Sequence, residues 1–208
     1  MGKHEVGYAR VERDNYPTSE LWPVEALAAH VNLSGKTVWE MACGGGDMVR
    51  SLQAIGCHVF ASDIVSYGQH QDVVHDFLSP TMPAGLPAID ALITNPPFGP
   101  RGRLATEFIE IGLKYVLERN ALLALLLPTD FDAAKTRRHL FGGCPHFFGK
   151  IVLTKRCVWF PRTDGKREAP KENTSWYVWQ AHDGPPVLLY GPNELRTLST
   201  KPGSTGSS

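Results

Sequence analysis

The sequence predicts an α/β protein built on a single doubly wound, mostly parallel sheet of seven strands with helices on both faces. Short apolar runs rich in Val, Ile, Leu and Phe alternate with segments of helical period, which is typical of such a sheet. At 208 residues the chain is long enough for one domain with a sizeable core and short for two. We therefore expect one domain over residues 1–195 and a disordered tail over residues 196–208, which ends in PGSTGSS.

Seven runs have the length and composition of strands, and three segments between them have an apolar face at helical spacing. The predicted strands are 37–41, 58–62, 72–75, 90–94, 122–127, 151–154 and 176–180. The predicted helices are 23–31, 47–55 and 106–118, where Pro23 suits a first helical turn and Gly56 a helix end. The segment 161–175, PRTDGKREAPKENTS, is polar and charged between two strands and is predicted to be a mobile loop.

The composition of the chain argues against several classes of function. Lys plus Arg and Asp plus Glu number 21 each, so no overall basic field favours nonspecific nucleic-acid binding. The four cysteines form no C-x-x-C pair, and we predict no metal site. The N-terminal sequence lacks an apolar signal core, and the longest apolar run, ALLALLLP at 121–128, is too short to span a bilayer. We expect a cytoplasmic protein with free thiols and no membrane contact.

A turn of three glycines follows the first predicted strand, in VWEMACGGGDM at 38–48. Glycine permits positive φ angles and lets backbone N–H groups approach a ligand, so the turn indicates a nucleotide-like ligand at the carboxyl end of the strand. No lysine follows as in a phosphate-binding loop, and Val49 stands where a dinucleotide fingerprint needs its last glycine. Glu40, just before the turn, favours a ligand that carries a positive charge.

Acidic residues end the next two predicted strands. Asp63 lies about 20 residues past the glycine turn, the spacing typical of a carboxylate that binds ribose hydroxyls. Asp76 ends the third strand, and Phe77 beside it is placed to cover an adenine face. Because these features follow one another at consecutive strand ends, they favour a nucleoside pocket.

The fourth predicted strand ends in ITNPPFG at 93–99. Pro96 and Pro97 remove two backbone donors and drive Asn95 into an extended conformation. The Asn95 side-chain oxygen and the Pro96 carbonyl are therefore predicted to accept the two hydrogens of an amino group. Phe98 then offers a face on which a planar base can stack.

Taken together, EMACGGG, Asp63, Asp76 and NPPF resemble the class I S-adenosylmethionine-dependent methyltransferases. Within that class they are similar to the enzymes that methylate the exocyclic amino group of adenine in DNA, above all to small stand-alone forms of phage or prophage origin. The resemblance covers residues 16–180. It implies a Rossmann-like methyltransferase fold whose last strand is antiparallel, S-adenosylmethionine as cofactor and DNA as substrate.

The resemblance also assigns roles to residues. The cofactor-binding residues that it implies are Tyr16, Pro17, Thr18, Glu40, Ala42, Cys43, Gly44, Gly46, Asp63, Ile64, Asp76, Phe77 and Asn95. The catalytic residues that it implies, which grip the amine and stack on a base flipped out of its duplex, are Asn95, Pro96, Pro97 and Phe98. The substrate-binding residues are Phe98, Arg101, Arg103, Trp159, Phe160, Arg162, Lys166 and Arg167.

Two different functions stay open beside this one. We expect no target-recognition domain in a chain of this length, which implies that its specificity is weak, is borrowed from a separate partner, or concerns a substrate other than duplex DNA. The first of the two is methylation of a protein glutamine amide or of an RNA base amino group, because an amide has the same delocalised lone pair. The second is that of a catalytically silent cofactor-binding subunit of a larger assembly.

Overall fold

The structure, a computed structural model, describes residues 18–68, 70–157 and 172–191. Eight strands are found in these residues: β1 (Thr37–Glu40), β2 (His58–Asp63), β3 (Val73–Val74), β4 (Ala91–Thr94), β5 (Leu122–Pro128), β6 (Phe147–Leu153), β7 (Thr174–Trp179) and β8 (Val187–Gly191). They form one sheet in the order β3-β2-β1-β4-β5-β7-β6-β8. The predicted single, doubly wound sheet is confirmed, with one strand more than expected.

The sheet is mostly parallel. Strand β7 is antiparallel to both of its neighbours, β5 and β6, whereas the other pairs are parallel. The seventh strand is thus antiparallel, as predicted, and the additional β8 pairs in parallel with β6. The order reverses between β1 and β4, and open α/β sheets bind ligands at the carboxyl end of the strands at such a point.

Helices cover both faces and bury two separate cores. Helices α1 (Trp22–Ala28) and α2 (Asp47–Ala54) pack on one face, and α3 (Arg103–Arg119) packs on the other. Strand β5 gives alternate side chains to the two cores, which explains why its sequence LLALLLP is almost continuously apolar. No helix in the described part of the chain has the length and hydrophobicity needed to cross a membrane.

The predicted boundaries differ most at the end of the sheet that carries β6 and β8. Strand β6 begins at Phe147, four residues before the predicted start. The first half of the strand was not predicted because it contains a glycine, at an irregular point of the pairing with β7. Strand β8 was missed because it lies at the sheet edge and leaves most of its side chains exposed. Residues 174 and 175 of the predicted loop belong to β7. The loop residues 161–171 and the tail 196–208 lie outside the described residues.

Gly149 explains how β8 can pair with β6. A Cβ atom added at Gly149 would overlap the carbonyl oxygen of Val187 in β8, a backbone atom that cannot rotate away. We expect Gly149→Ala to lower the free energy of unfolding by about 1–3 kcal/mol, as overpacking does. Chemical denaturation measures this effect. Gly142→Ala is the matched control, since an added Cβ there has nothing within 4 Å. Equal stability of the two variants would contradict the role given to Gly149.

Candidate active site

The glycine turn links the carboxyl end of β1 to α2. Gly44 and Gly46 have positive φ angles of 50° and 79°, and Gly46 immediately precedes the helix. A Cβ at Gly46 would lie 2.5 Å from the Cβ of His70, whereas one at Gly45 would meet nothing within 4 Å. The turn is therefore packed on one side by His70 and open above Gly45, which leaves backbone groups accessible to a ligand.

Asp63, at the end of β2, is tied to the glycine turn. Its Oδ2 accepts a hydrogen bond from the Gly44 N–H at 3.0 Å, and its Oδ1 accepts one from the Val65 N–H at 3.2 Å. The residue is only 4% exposed. A carboxylate oxygen can accept more than one hydrogen bond, so ribose binding by Asp63 is compatible with these contacts and stays a prediction. Ile64, the next residue, is exposed beside it.

Glu40, the last residue of β1, is a buried acid. Its side chain is 1% exposed, and its Oε1 accepts a hydrogen bond from the Ala42 N–H at 3.1 Å. Burial raises the pKa of the Glu40 carboxyl to about 8, with a further contribution from the negative charge of Asp63. Glu40 is therefore mostly protonated at neutral pH, and a nearby cation would favour its ionisation.

The segment after β3 turns on Asp76 and is anchored by Phe77. Asp76 Oδ1 accepts a hydrogen bond from the Leu78 N–H at 2.9 Å, which closes the turn. The Phe77 ring lies in the core, with its centroid 5.3 Å from that of Trp39 and 4.9 Å from that of Phe108. Phe77 is 5% exposed and anchors the turn to the core. Its contact with an adenine stays a prediction.

The NPPF segment follows β4, which lies next to β1. Asn95 Nδ2 donates a hydrogen bond to Thr18 Oγ1 at 3.3 Å, and Thr18 is 4% exposed. The segment before α1 thus reaches the end of β4, although Tyr16 and Pro17 lie outside the described residues. Phe98 is half-buried and packs against the core on the α3 side. Asn95 is therefore held by a residue 77 positions away in the chain.

Arg137 joins the loop after NPPF to the loop after β5, a contact that we call the Arg137 clamp. Its guanidinium lies 3.8 Å from the centroid of the Phe131 ring. It also donates hydrogen bonds to the carbonyl oxygens of Phe131 at 2.9 Å and Arg101 at 3.3 Å. Gly102 fits beneath this contact, since a Cβ there would lie 2.7 Å from the Phe131 ring. The clamp fixes the two loops relative to each other.

A second polar cluster fixes the loop after β5. Lys150 Nζ lies 2.8 Å from Asp132 Oδ2 and donates to the Thr129 carbonyl at 3.1 Å. The buried Tyr177 hydroxyl donates to the same Thr129 carbonyl at 2.8 Å, and burial raises the pKa of Tyr177 above its ordinary value. Neither this cluster nor the Arg137 clamp is predicted by the sequence. Both are long-range contacts, and no local motif marks either of them.

The remaining predicted residues are divided between described and undescribed parts of the chain. Arg101 and Arg103 are exposed beside NPPF, and Arg103 pairs with Glu107 at 2.9 Å. Five predicted substrate-binding residues lie outside the described residues: Trp159, Phe160, Arg162, Lys166 and Arg167. Within residues 18–68, 70–157 and 172–191, no group of three His, Cys, Asp or Glu side chains could hold a metal ion.

Comparisons with known proteins relate this architecture to methyltransferases. No family model matches the sequence. A ubiquinone biosynthesis O-methyltransferase from Paraburkholderia xenovorans (strain LB400) is 40% identical over 50 residues, which is 23% of this chain and 22% of that protein. A second ubiquinone biosynthesis O-methyltransferase, from Paraburkholderia phytofirmans, matches to the same extent. The chain thus spans about a fifth of the length of the curated relatives it matches.

A solved structure agrees with the fold over most of the chain. A candidate RNA methyltransferase from Pyrococcus horikoshii superimposes with a TM-score of 0.51 at 18% identity, over 78% of this chain and 82% of that one. A TehB-like S-adenosylmethionine-dependent methyltransferase from Corynebacterium glutamicum gives a TM-score of 0.43 at 14% identity, over 77% and 87%. With the strand order and the antiparallel β7, the Pyrococcus superposition shows that this chain has the Rossmann-like methyltransferase fold.

Proposed function

We propose that this protein transfers a methyl group from S-adenosylmethionine to the exocyclic amino group of adenine in DNA. One observation carries the proposal: NPPF ends the strand next to the glycine turn, and its Asn95 is held in place by Thr18. NPPF, to which we assign amine binding, and the glycine turn, to which we assign nucleoside binding, therefore lie at the same edge of the sheet. Such an edge brings two substrates together in a fixed orientation.

The residues of the glycine turn fit the cofactor. S-adenosylmethionine supplies an electrophilic methyl group on a positively charged sulfur. The open face above Gly45 accommodates a ligand, and the buried Glu40 carboxyl gains a favourable partner when a cation binds near it. We assign cofactor binding to residues of this turn and of the neighbouring strand ends, namely Thr18, Glu40, Ala42, Cys43, Gly44, Gly46, Asp63, Ile64 and Asp76.

Asn95 and Pro96 make the target nitrogen more nucleophilic. The lone pair of an aryl amine is delocalised into its ring, and acceptors for both amine hydrogens return electron density to nitrogen. Because Asn95 Nδ2 donates to Thr18, its Oδ1 is oriented as an acceptor, and an amide oxygen can accept more than one hydrogen bond. The fixed carbonyl of Pro96 takes the second hydrogen. The amine becomes acidic as it is methylated, so water can take the proton and no strong base is needed.

The DNA base must leave its duplex to reach this pocket. Phe98 is half-buried, so its ring is anchored against the core while part of it stays accessible for stacking. We propose that Phe98 covers one face of the flipped base. Trp159 or Phe160, outside the described residues, is proposed to cover the other face.

An RNA base amino group is the second candidate substrate. The similarity of the fold to that of the candidate RNA methyltransferase from Pyrococcus horikoshii favours it, and the chemistry at Asn95 would be the same. Methylation of a protein glutamine amide and a role as a catalytically silent subunit follow as weaker candidates. A separate partner that provides sequence specificity is compatible with each of the methyltransferase functions.

A transfer assay distinguishes these functions. The full chain is incubated with S-adenosylmethionine tritiated on its methyl group and, separately, with DNA, RNA or a translation release factor, while calorimetry measures cofactor binding. We expect label in DNA, recovered as N6-methyladenine after digestion. Label in RNA or in the release factor alone would move the function to that substrate. Cofactor binding without transfer to any of them would favour the silent subunit, and a lack of cofactor binding would refute the proposal.

A further inference from the structure

We propose that Arg101, Lys135 and Arg138 form a surface that binds the phosphate backbone of the DNA next to the flipped base. We call these three residues the basic surface. The inference rests on the proposed function in that it takes DNA as the substrate at this edge of the sheet. It adds a binding surface in the turn Lys135–Leu140, which no local sequence motif marks.

The Arg137 clamp places this surface beside NPPF. Arg137 belongs to the turn Lys135–Leu140, and its side chain reaches the Arg101 carbonyl, three residues after Phe98. The clamp thereby brings residues 135–140 against the loop after NPPF, although they are far apart in sequence. Arg101 itself has a positive φ of 57°, and its side chain is exposed.

Lys135 and Arg138 share a face of the turn. The turn Lys135–Leu140 is a 3₁₀ helix. Because a 3₁₀ helix has three residues per turn, positions three apart lie above one another on the same side. Both side chains belong to exposed residues, while Arg137 between them points to Phe131 and Arg101. The turn therefore uses one cation for the clamp and presents two others to solvent on a different face.

Within the part of the chain that the structure describes, the cations of the basic surface form no ion pair with a carboxylate, whereas neighbouring basic residues do. Nearby, Arg103 pairs with Glu107, Lys150 with Asp132, and His139 lies 3.7 Å from Glu110. Among the described residues, no ion pair involves the side chain of Arg101, Lys135 or Arg138. Asp130 is exposed on the adjoining loop and is outnumbered by these cations. A chain with no net charge thus concentrates unpaired positive charge beside its candidate active site.

This arrangement fits a phosphate backbone. Cations that contact phosphates release condensed counterions, so each contact on duplex DNA steepens the logarithmic dependence of affinity on salt by about 0.9. Such contacts fix the position of the strand without reading its sequence. The basic surface would therefore hold DNA so that the target base lies over Phe98.

The test compares two double variants with equal loss of charge. Lys135→Ala/Arg138→Ala removes two cations of the basic surface. Lys114→Ala/Arg119→Ala removes two from the later part of α3, where Arg119 lies about 24 Å along the helix from its start at Arg103. Fluorescence anisotropy with a labelled DNA duplex of mixed sequence gives the salt slope, and calorimetry gives cofactor affinity. We expect the first variant to lower the slope by about two and the control to leave it unchanged, with cofactor affinity unaffected in both.

The outcomes separate this inference from the proposed function. If the wild-type protein methylates DNA and the two variants have equal salt slopes, the basic surface is refuted and the function stands. If the slope falls only in the Lys135/Arg138 variant but the wild-type protein transfers no methyl group to DNA, the surface is upheld and the function is refuted. If the wild-type protein does not bind the DNA duplex, the inference is overturned whatever other substrate accepts the methyl group.

Discussion

Replacement of Asn95 by alanine is expected to slow methyl transfer by at least about a hundredfold, the loss typical when one preorganised polar contact to a reacting group is removed. The reason is the position of Asn95 at the end of β4, where Thr18 holds its side-chain nitrogen and orients its oxygen. Cofactor affinity should change little, because the glycine turn, Glu40 and Asp63 are untouched. Single-turnover transfer and calorimetry of cofactor binding measure the two quantities.

Two further variants make the Asn95 result specific. Asn95→Asp keeps an acceptor oxygen, and Thr18 can donate to it, so this variant should retain more activity than Asn95→Ala. Thr18→Val removes the partner and should lower the rate of transfer more than it changes the KM for DNA. A parallel loss of transfer and of cofactor affinity in Asn95→Ala would contradict the assigned role, as would equal activity of the alanine and aspartate variants.

The arrangement of the sheet could be predicted from local sequence wherever a strand is buried on both faces. LLALLLP in β5 contributes to two cores, so its composition alone marks it as a central strand. The same reasoning fails for β8, whose exposed Val187, Leu188 and Tyr190 follow no alternation between core and solvent. It also fails for the first half of β6, where the need for Gly149 is set by a carbonyl in another strand.

In the candidate site, as in the sheet, some features could be predicted from local sequence and others depend on long-range contacts. The glycine turn and NPPF are recognisable because the backbone conformations they need restrict the residue types within a few positions. The link from Asp63 to Gly44 and the Arg137 clamp depend instead on how distant segments meet in three dimensions. Phe77 is a case in which the local sequence allows two interpretations. An aromatic beside a strand-end acid is compatible with an adenine contact or with a core position, and only the packing against Trp39 and Phe108 reveals the core position.

We expect the buried Glu40 carboxyl to make the stability of the wild-type protein depend on pH between about pH 4.5 and 8, and Glu40→Gln should remove this dependence. Burial raises the pKa of this carboxyl from 4.5 to about 8, so in this window the folded protein keeps a proton that the unfolded chain releases. Because the folded state binds more protons at this carboxyl, the contribution of Glu40 to stability must fall as pH rises. The loss is at most about 1.4 kcal/mol per pH unit and is absent below the unfolded pKa.

Denaturation at several pH values tests this prediction, with Glu118→Gln as the control because Glu118 is an exposed glutamate on α3. The Glu40 variant should equal the wild-type protein near pH 4.5 and exceed its stability by several kcal/mol near pH 8. The control should keep the wild-type slope, and the same slope in both variants would contradict the burial argument.

The same carboxyl is expected to link stability to binding of the proposed cofactor. A positively charged cofactor near Glu40 favours the ionised form, so binding must release a proton when it occurs below about pH 8. Calorimetry in buffers of different ionisation enthalpy should detect that proton with the wild-type protein and lose it with Glu40→Gln. Affinity should accordingly rise with pH towards 8 in the wild-type protein and stay weaker and flat in the variant. The buried acid, which destabilises the protein when no ligand is bound, would then be the group that selects a cationic ligand. Proton release of the same size in the wild-type protein and in Glu40→Gln would assign that selection to another residue.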